Sequence, residues 1–435
     1  MKATTRPLIL VLAALLVCPA VLLHAATKRH HKRHRAASGS SAKTASAKSA
    51  APAKTVARKH HRSRGASAAS AAGKATVAAR TPTSARLRKV SYTSSAHTRA
   101  HRRRHVYSPW TSPTFADSTS SDSVDGEDLM VRRAAVQALG PYNGSVVVVD
   151  PYTGRILTMV NQKLALSAGF EPCSTIKIVA SLAGLTEGVI DPDTSIRIAR
   201  RTTIGLTQAL AHSNNFYFAT VGSRLGFDRV TDYARLFGMG EKAGLNIEGE
   251  QFTPLPDTPP SDGIGMMTSF GEGFYFTPLQ LAAIVSTVAN GGTLYYLQYP
   301  KTPAEIANYV PRVKRHLDIA QNIPAILPGM MGAVEFGTAR RALFDPDAPI
   351  FGKTGTCTDN RSPTHLGWFA SFQQIGSRKL AVVVLLTGGH AVSGPVASGV
   401  AGSVYRNLVA EGYYAQTPAP MSPAVLVNGP ATVSR

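Results

Sequence analysis

The chain has 435 residues and a formal net charge of +22, divided too unevenly to describe a basic globular protein. Residues 1–116 carry 23 Lys or Arg and no Asp or Glu, whereas the remainder carries 24 basic and 25 acidic side chains. The part able to fold is therefore electrically balanced, which excludes a domain steered as a whole toward nucleic acid. Three cysteines (Cys18, Cys173 and Cys357) exclude a disulfide-stapled scaffold and lack zinc-ligand spacing.

Lys2 and Arg6 precede an apolar run from Leu8 to Val17 and then small residues, the order of a secretory signal over residues 1–26. Ala20 and Ala25 are the candidate cleavage positions. The alternative is an uncleaved membrane anchor. The stretch Leu8 to Ala26 is barely long enough for one, and Lys28, Arg29, Lys32, Arg33 and Arg35 after it would oppose the positive-inside preference. Residues 27–128 are Ala, Ser, Lys, Arg and His with hardly a large apolar side chain before Val106, so disorder is predicted there. Two readings of this segment stand: residues 27–116 hold an anionic wall or envelope polymer, or they are a solvated linker without a specific ligand. No specific nucleic-acid partner is predicted.

One domain is expected over residues 129–415. Val146 to Val149, the turn residues Asp150 to Arg155, and Ile156 to Val160 predict an antiparallel hairpin. Helices are predicted over Ser174 to Leu185, Thr207 to Leu225, Arg229 to Leu236, Pro278 to Ala289 and Ala397 to Val409, with strands over Trp368 to Phe372 and Leu380 to Leu386. Strands at both ends with helices between them predict an α+β domain, an antiparallel sheet flanked by helices. Residues 416–435, rich in Pro and Ala, are expected to be a disordered tail.

Within this domain, Ser174 and Lys177 are three apart at a helix start and share a face, a spacing that suits a hydroxyl nucleophile beside its base. Ser40 and Lys43 show the same spacing in the linker, so context must separate the two. Lys177 lies in a run that is apolar nearly all round, and burial would push its amine down toward a proton-accepting form. The bland alternative is a lysine snorkelling from the first helical turn. Ser213 and Asn215 form the only Ser-x-Asn in the chain, a triplet equally suited to a helix cap. Lys353, Thr354, Gly355 and Thr356 present donors suited to a carboxylate, with a glycine that lets a substrate backbone approach; the alternative is a surface turn. The four histidines of the domain (His212, His316, His365 and His390) lack ligand-like spacing, so neither a metal nor a cofactor is predicted.

Taken in order, Ser174-x-x-Lys177, Ser213-x-Asn215 and Lys353-Thr354-Gly355 resemble the three-motif signature of penicillin-binding proteins and serine β-lactamases. The opening hairpin, Ser269 to Gly273, Thr277 to Ala282, Ala289 to Thr293, Gly337 to Ala339 and Gly367 to Ala370 narrow the resemblance to the penicillin-binding transpeptidase domain over roughly residues 129–412. The chain departs from that pattern at Cys173, where the family usually has Gly, and at Glu272, where it usually has Gln. The segment before residue 129 is too polar to be the family's pedestal or glycosyltransferase module.

The resemblance implies an exported bacterial serine acyl-transferase, acting in the periplasm or at the outer face of the cytoplasmic membrane. Its substrates would be D-alanyl-D-alanine stem peptides of peptidoglycan, with β-lactams as inhibitors. Ser174 would attack, neutral Lys177 would take its proton, Ser213 would relay it to the leaving amine, and Asn215 would hold substrate and Lys177. Charged Lys353 with Thr354 and Thr356 would receive the terminal carboxylate beside Gly355. Backbone N–H groups at Ser174 and Thr356 would form the oxyanion hole. The rival functions are a carboxypeptidase or β-lactamase-like hydrolase and a non-catalytic wall-binding protein. In this fold Cys173 and Cys357 would flank the oxyanion hole, either as a disulfide or as two small side chains standing in for Gly and Ala.

Overall fold

The computed structural model describes residues 110–416 and 422–427. The predicted signal or anchor, and the linker up to residue 109, lie outside the described residues.

Five antiparallel strands form the central sheet: β1 (Gly144–Val149), β2 (Ile156–Val160), β3 (Ile350–Thr358), β4 (His365–Ile375) and β5 (Arg378–Gly388), in spatial order β2-β1-β5-β4-β3. The β1–β2 turn follows from its residues. Asp150 Oδ1 accepts from Tyr152 N at 2.9 Å, and Gly154 takes the positive φ of +74° that a side chain would resist.

β1 and β5 are apolar on both faces because both are covered. Val146 and Val148, with Val382, Val384 and Leu386, face a core formed with α1 (Leu129–Leu139) and the C-terminal helix α8 (Gly394–Ala410). Val147 and Val149, with Ala381, Val383 and Leu385, face a larger core. That core is built by α2 (Lys177–Thr186), α4 (Asn215–Leu225), α6 (Pro278–Ala289) and α7 (Ile323–Glu335), with α3 (Leu206–Ala211) and α5 (Ile264–Phe270) beside them. Helix α6 is buried along its whole length and starts where the sequence specifies. Thr277 Oγ1 accepts from Gln280 N, Gln280 Oε1 accepts from Thr277 N, and Pro278 holds the first helical position.

The domain begins earlier than the predicted residue 129. Residues 110–128 carry few large apolar groups yet pack on the domain through polar anchors, which a search for apolar periodicity overlooks. Arg132 of α1 reaches Asp122 at 2.7 Å and Glu127 at 3.3 Å, and Glu127 also accepts from Met159 N at 2.8 Å, Thr158 Oγ1 at 2.7 Å and Tyr299 OH at 2.7 Å. Glu127 is buried, so Glu127→Ala would leave Arg132 with Asp122 alone and orphan the Met159 N–H and the Thr158 and Tyr299 hydroxyls. The expected loss is about 3–5 kcal/mol in urea unfolding, and a loss under about 1 kcal/mol would show the cluster to be solvated. The tail prediction also needs amending at one place: Val425–Leu426 forms a short parallel strand beside Arg312–Val313. Among the described residues no helix is long and apolar enough to cross a membrane.

Candidate active site

Ser174 lies in a 3-10 turn, Cys173–Ile176, that runs directly into α2, so Lys177 is the first α-helical residue and its side chain turns back toward the serine. Lys177 is fully buried, with its Nζ 5.6 Å from the centre of the Phe218 ring. Four oxygens stand within 3.0 Å of that nitrogen: Asn215 Oδ1 at 2.6 Å, Ser174 Oγ at 2.8 Å, and Ser213 O and Oγ at 3.0 Å each.

Burial pushes the Lys177 amine down to about 5, and the charge of Lys353 adds to the effect. A neutral amine has two N–H groups and one lone pair. Asn215 Oδ1 and the Ser213 carbonyl can only accept, so they take the two N–H groups and leave the lone pair for a hydroxyl. Ser174 O–H has a second acceptor in the Ser269 carbonyl at 3.4 Å, but Lys177 is the nearer of the two.

The predicted helix from Thr207 to Leu225 is broken into α3 and α4 at the functional position. Ser213 adopts φ +56°, and Asn214 caps α4 by accepting from Tyr217 N at 2.9 Å. The break lets the Ser213 hydroxyl and carbonyl both face Lys177. Gly337 and Thr338 dock against the same turn: Thr338 N donates to Ala211 O at 3.1 Å, and a Cβ on Gly337 would collide with that carbonyl.

Lys353 to Thr356 belong to β3, an edge strand of the sheet and no surface turn. Lys353 is fully buried and its Nζ donates to Ser213 Oγ at 2.8 Å and to Thr354 O at 2.9 Å. Burial pushes its amine down to about 7. An arriving anion would oppose that burial effect and favour the charged form. Thr354 pairs with Thr338 through their hydroxyls at 2.6 Å. Thr356 is exposed, and its hydroxyl oxygen accepts from Gly394 N at 2.7 Å, which leaves its O–H free to donate outward. Gly355 is needed for close approach: a Cβ there would stand 2.9 Å from Pro172 O and 3.2 Å from Cys173 Cβ.

All eight predicted site residues thus lie where the start of α2, the α3–α4 turn and β3 meet. Of the two readings of the cysteines, the structure has the disulfide: Cys173 and Cys357 are bonded, with Cα atoms 5.6 Å apart. Cys173 adopts φ +50°. Left-handed backbone at a non-glycine residue costs about 1–3 kcal/mol, so both Cys173 and Ser213 are held against their preference by their surroundings. Sequence reasoning missed the Ser269 carbonyl and Thr338 as site contacts. Both lie in segments that it had matched to the family without assigning a role.

This fold and this constellation define a class: the chain belongs to the penicillin-binding protein transpeptidase domain family, whose model matches residues 144–410. It is similar to stage V sporulation protein D of Bacillus subtilis, 27% identical over 63% of this chain and 48% of that protein. It also resembles the peptidoglycan D,D-transpeptidase PbpA of Mycobacterium tuberculosis, 26% identical over 58% of this chain and 63% of the relative. The chain therefore spans only about half to two thirds of the length of these relatives. Among solved structures, the imipenem acyl-enzyme complex of penicillin-binding protein A from M. tuberculosis shares the fold. Its TM-score is 0.54 at 23% identity, covering 65% of this chain and 78% of that one.

Proposed function

We propose that this chain is an exported serine D,D-transpeptidase that acts on D-alanyl-D-alanine stem peptides through an acyl-enzyme at Ser174. The observation that carries the reading is the fully buried Lys177 amine, 2.8 Å from Ser174 Oγ and pushed down to about 5. A base that is neutral at pH 7 in a dry pocket can take the serine proton as the oxygen attacks.

In this reading Ser213, within reach of both lysines, passes the proton to the departing D-alanine amine. Asn215 fixes the Lys177 amine through its Oδ1 and offers its amide N–H to the substrate. Lys353 in its charged form orders Ser213 and, with the hydroxyls of Thr354 and Thr356, receives the terminal carboxylate. The open edge of β3 offers backbone groups to an extended peptide, with Gly355 letting the strand lie close against the turn that carries Ser174. Backbone N–H groups at Ser174 and Thr356 serve the oxyanion.

The test is labelling of intact cells with a fluorescent penicillin that stays outside the cytoplasm, comparing wild type with Ser174→Ala. A long-lived adduct on the wild type and none on the variant is the expected result. Rapid turnover would reassign the chain to β-lactam hydrolysis, and absence of any adduct would leave a wall-binding role. Labelling only after lysis would overturn the export assignment.

A further inference from the structure

Two segments must keep a fixed spacing for acyl transfer at this site: the turn that carries Ser174 and the strand that carries Thr356. The residues next to these two, Cys173 and Cys357, are joined to each other. We propose that the Cys173–Cys357 disulfide is a positioning device for the oxyanion hole, a role that rests on the reading of Ser174 as nucleophile. Cys173 and Cys357 are positioning residues here, since their sulfur atoms act through the backbone of their neighbours.

Four observations carry this. Cys173 stands in left-handed backbone, φ +50°, where glycine is at ease and cysteine is not, so something outside the residue must hold it there. The side-chain hydrogen bonds that tie the turn to the domain fall on Glu171 and Pro172, while Cys173 is held by core packing and by its bond to Cys357. Trp368 Nε1 donates to Glu171 O at 2.9 Å, and Thr175 Oγ1 donates to Pro172 O at 2.7 Å. Gly355, two residues before Cys357, has no Cβ, so the turn and β3 already touch and neither has room to shift toward the other. Finally, the hydrogen-bonded chain Ser174–Lys177–Ser213–Lys353 returns from the nucleophile to β3 on the other side. The disulfide and this chain together close a ring around the place where a substrate carbonyl would sit, covalent on one side and hydrogen-bonded on the other.

Opening the covalent side forces a displacement. The thiols relieve their overlap by rotation of the partly exposed Cys357 side chain. The displacement follows from Cys173, whose left-handed backbone relaxes once the bond no longer holds it, with the packing at Gly355 directing that relaxation away from β3. The Ser174 and Thr356 N–H groups then lose their common focus while Lys177 and Ser174 stay paired. Acylation falls, whereas non-covalent docking of the carboxylate on Lys353 and Thr354 is kept. Cys173 is buried and Cys357 partly exposed, so a dithiol reductant attacks the Cys357 sulfur. The Cys173 thiolate leaves and is protonated, and the second thiol of the reductant then resolves the mixed disulfide. The reductant ends as its own disulfide and the protein as two thiols.

The experiment uses the full chain purified without reductant, with non-covalent binding and the acylation step of a slowly acylating penicillin resolved by stopped flow. It compares the oxidised protein, the same protein after dithiothreitol, Cys357→Ser, Cys173→Gly/Cys357→Ser, and Ser174→Ala. The expected result is a fall of about tenfold to a hundredfold in the acylation step on reduction, less than the roughly 10²–10³ lost when an oxyanion donor is removed outright, because the donors are displaced and not deleted. Non-covalent affinity should change less than about twofold, and reoxidation should restore the rate. Cys357→Ser should match the reduced protein and ignore the reductant. Adding Cys173→Gly should recover rate, because glycine accepts the left-handed backbone without the bond; a purely structural staple predicts no such rescue. The proposal is overturned if reduced and oxidised protein acylate within about twofold of each other, or if both thiols alkylate freely in the unreduced chain. Thermal melting on every sample separates misfolding from mispositioning. Should Ser174→Ala still be acylated, the nucleophile assignment fails instead, and the disulfide comparison is read apart from it.

Discussion

Lys177→Met is expected to lower the second-order rate of acylation by a β-lactam by about 10³-fold, within the range for a positioned general base. Methionine fills a similar volume without a basic nitrogen, and the Ser174 proton then has only the Ser269 carbonyl, at 3.4 Å, to turn to. A backbone carbonyl is too weak a base to take the proton as the serine attacks. The variant should keep its near-ultraviolet dichroism, since the apolar packing around residue 177 persists. In the wild type, the Lys177 amine is charged below about 5 and neutral above it, so acylation should rise with pH through that region. That acid limb should vanish in the variant. Acylation within tenfold of wild type would remove Lys177 from the role of base.

The second large effect concerns the other amine. Lys353→Gln should lower acylation by about 10²-fold, because a neutral amide replaces a charge-assisted partner for the carboxylate and for Ser213. The wild-type rate should fall again as pH rises through about 7, where Lys353 loses its proton, giving a bell between the two amines. Substrate that binds through its carboxylate moves this limb upward, so the fall in kcat should lie at higher pH than the fall in kcat/KM. Lys353→Gln should lose the alkaline limb while keeping the acid one. A β-lactam whose carboxylate is esterified provides an independent check: wild type should discriminate strongly against the ester and the variant weakly. Equal discrimination by both would place the carboxylate elsewhere.

Much of this site was legible before any coordinates, because its residues are tied to short spacings. Ser174 and Lys177 share a helical turn, and the apolar residues around Lys177 announce that the amine is dry. The sheet was legible wherever strands are long and apolar, as at Val146 to Val149 and Leu380 to Leu386. Three things were not, or not wholly. The segment 110–128 docks through Asp122, Glu127 and Arg132, and single polar contacts leave no periodic trace. The position of the break within Thr207 to Leu225 was only half legible: Ser213-x-Asn215 suits a helix cap, which Asn214 supplies, while the docking of Thr338 on Ala211 comes from a distant segment. Lys353 to Thr356 carry no sequence signal for an element, with a surface turn as the alternative reading, because a lysine, a glycine and two threonines show no apolar alternation; pairing with β4 makes the segment an edge strand.

Housing two amines in one dry pocket also links reactivity to acid tolerance. In the folded chain both lysines bind protons less readily than they would in the unfolded chain, where amines titrate near 10.4. Between the folded and unfolded values the unfolded chain holds more protons, so the pair's contribution to folding becomes more favourable as the medium turns alkaline and less so as it turns acid. Admitting water to the pair or removing one amine would therefore raise stability at low pH, and either change would cost the chemistry proposed for the pocket.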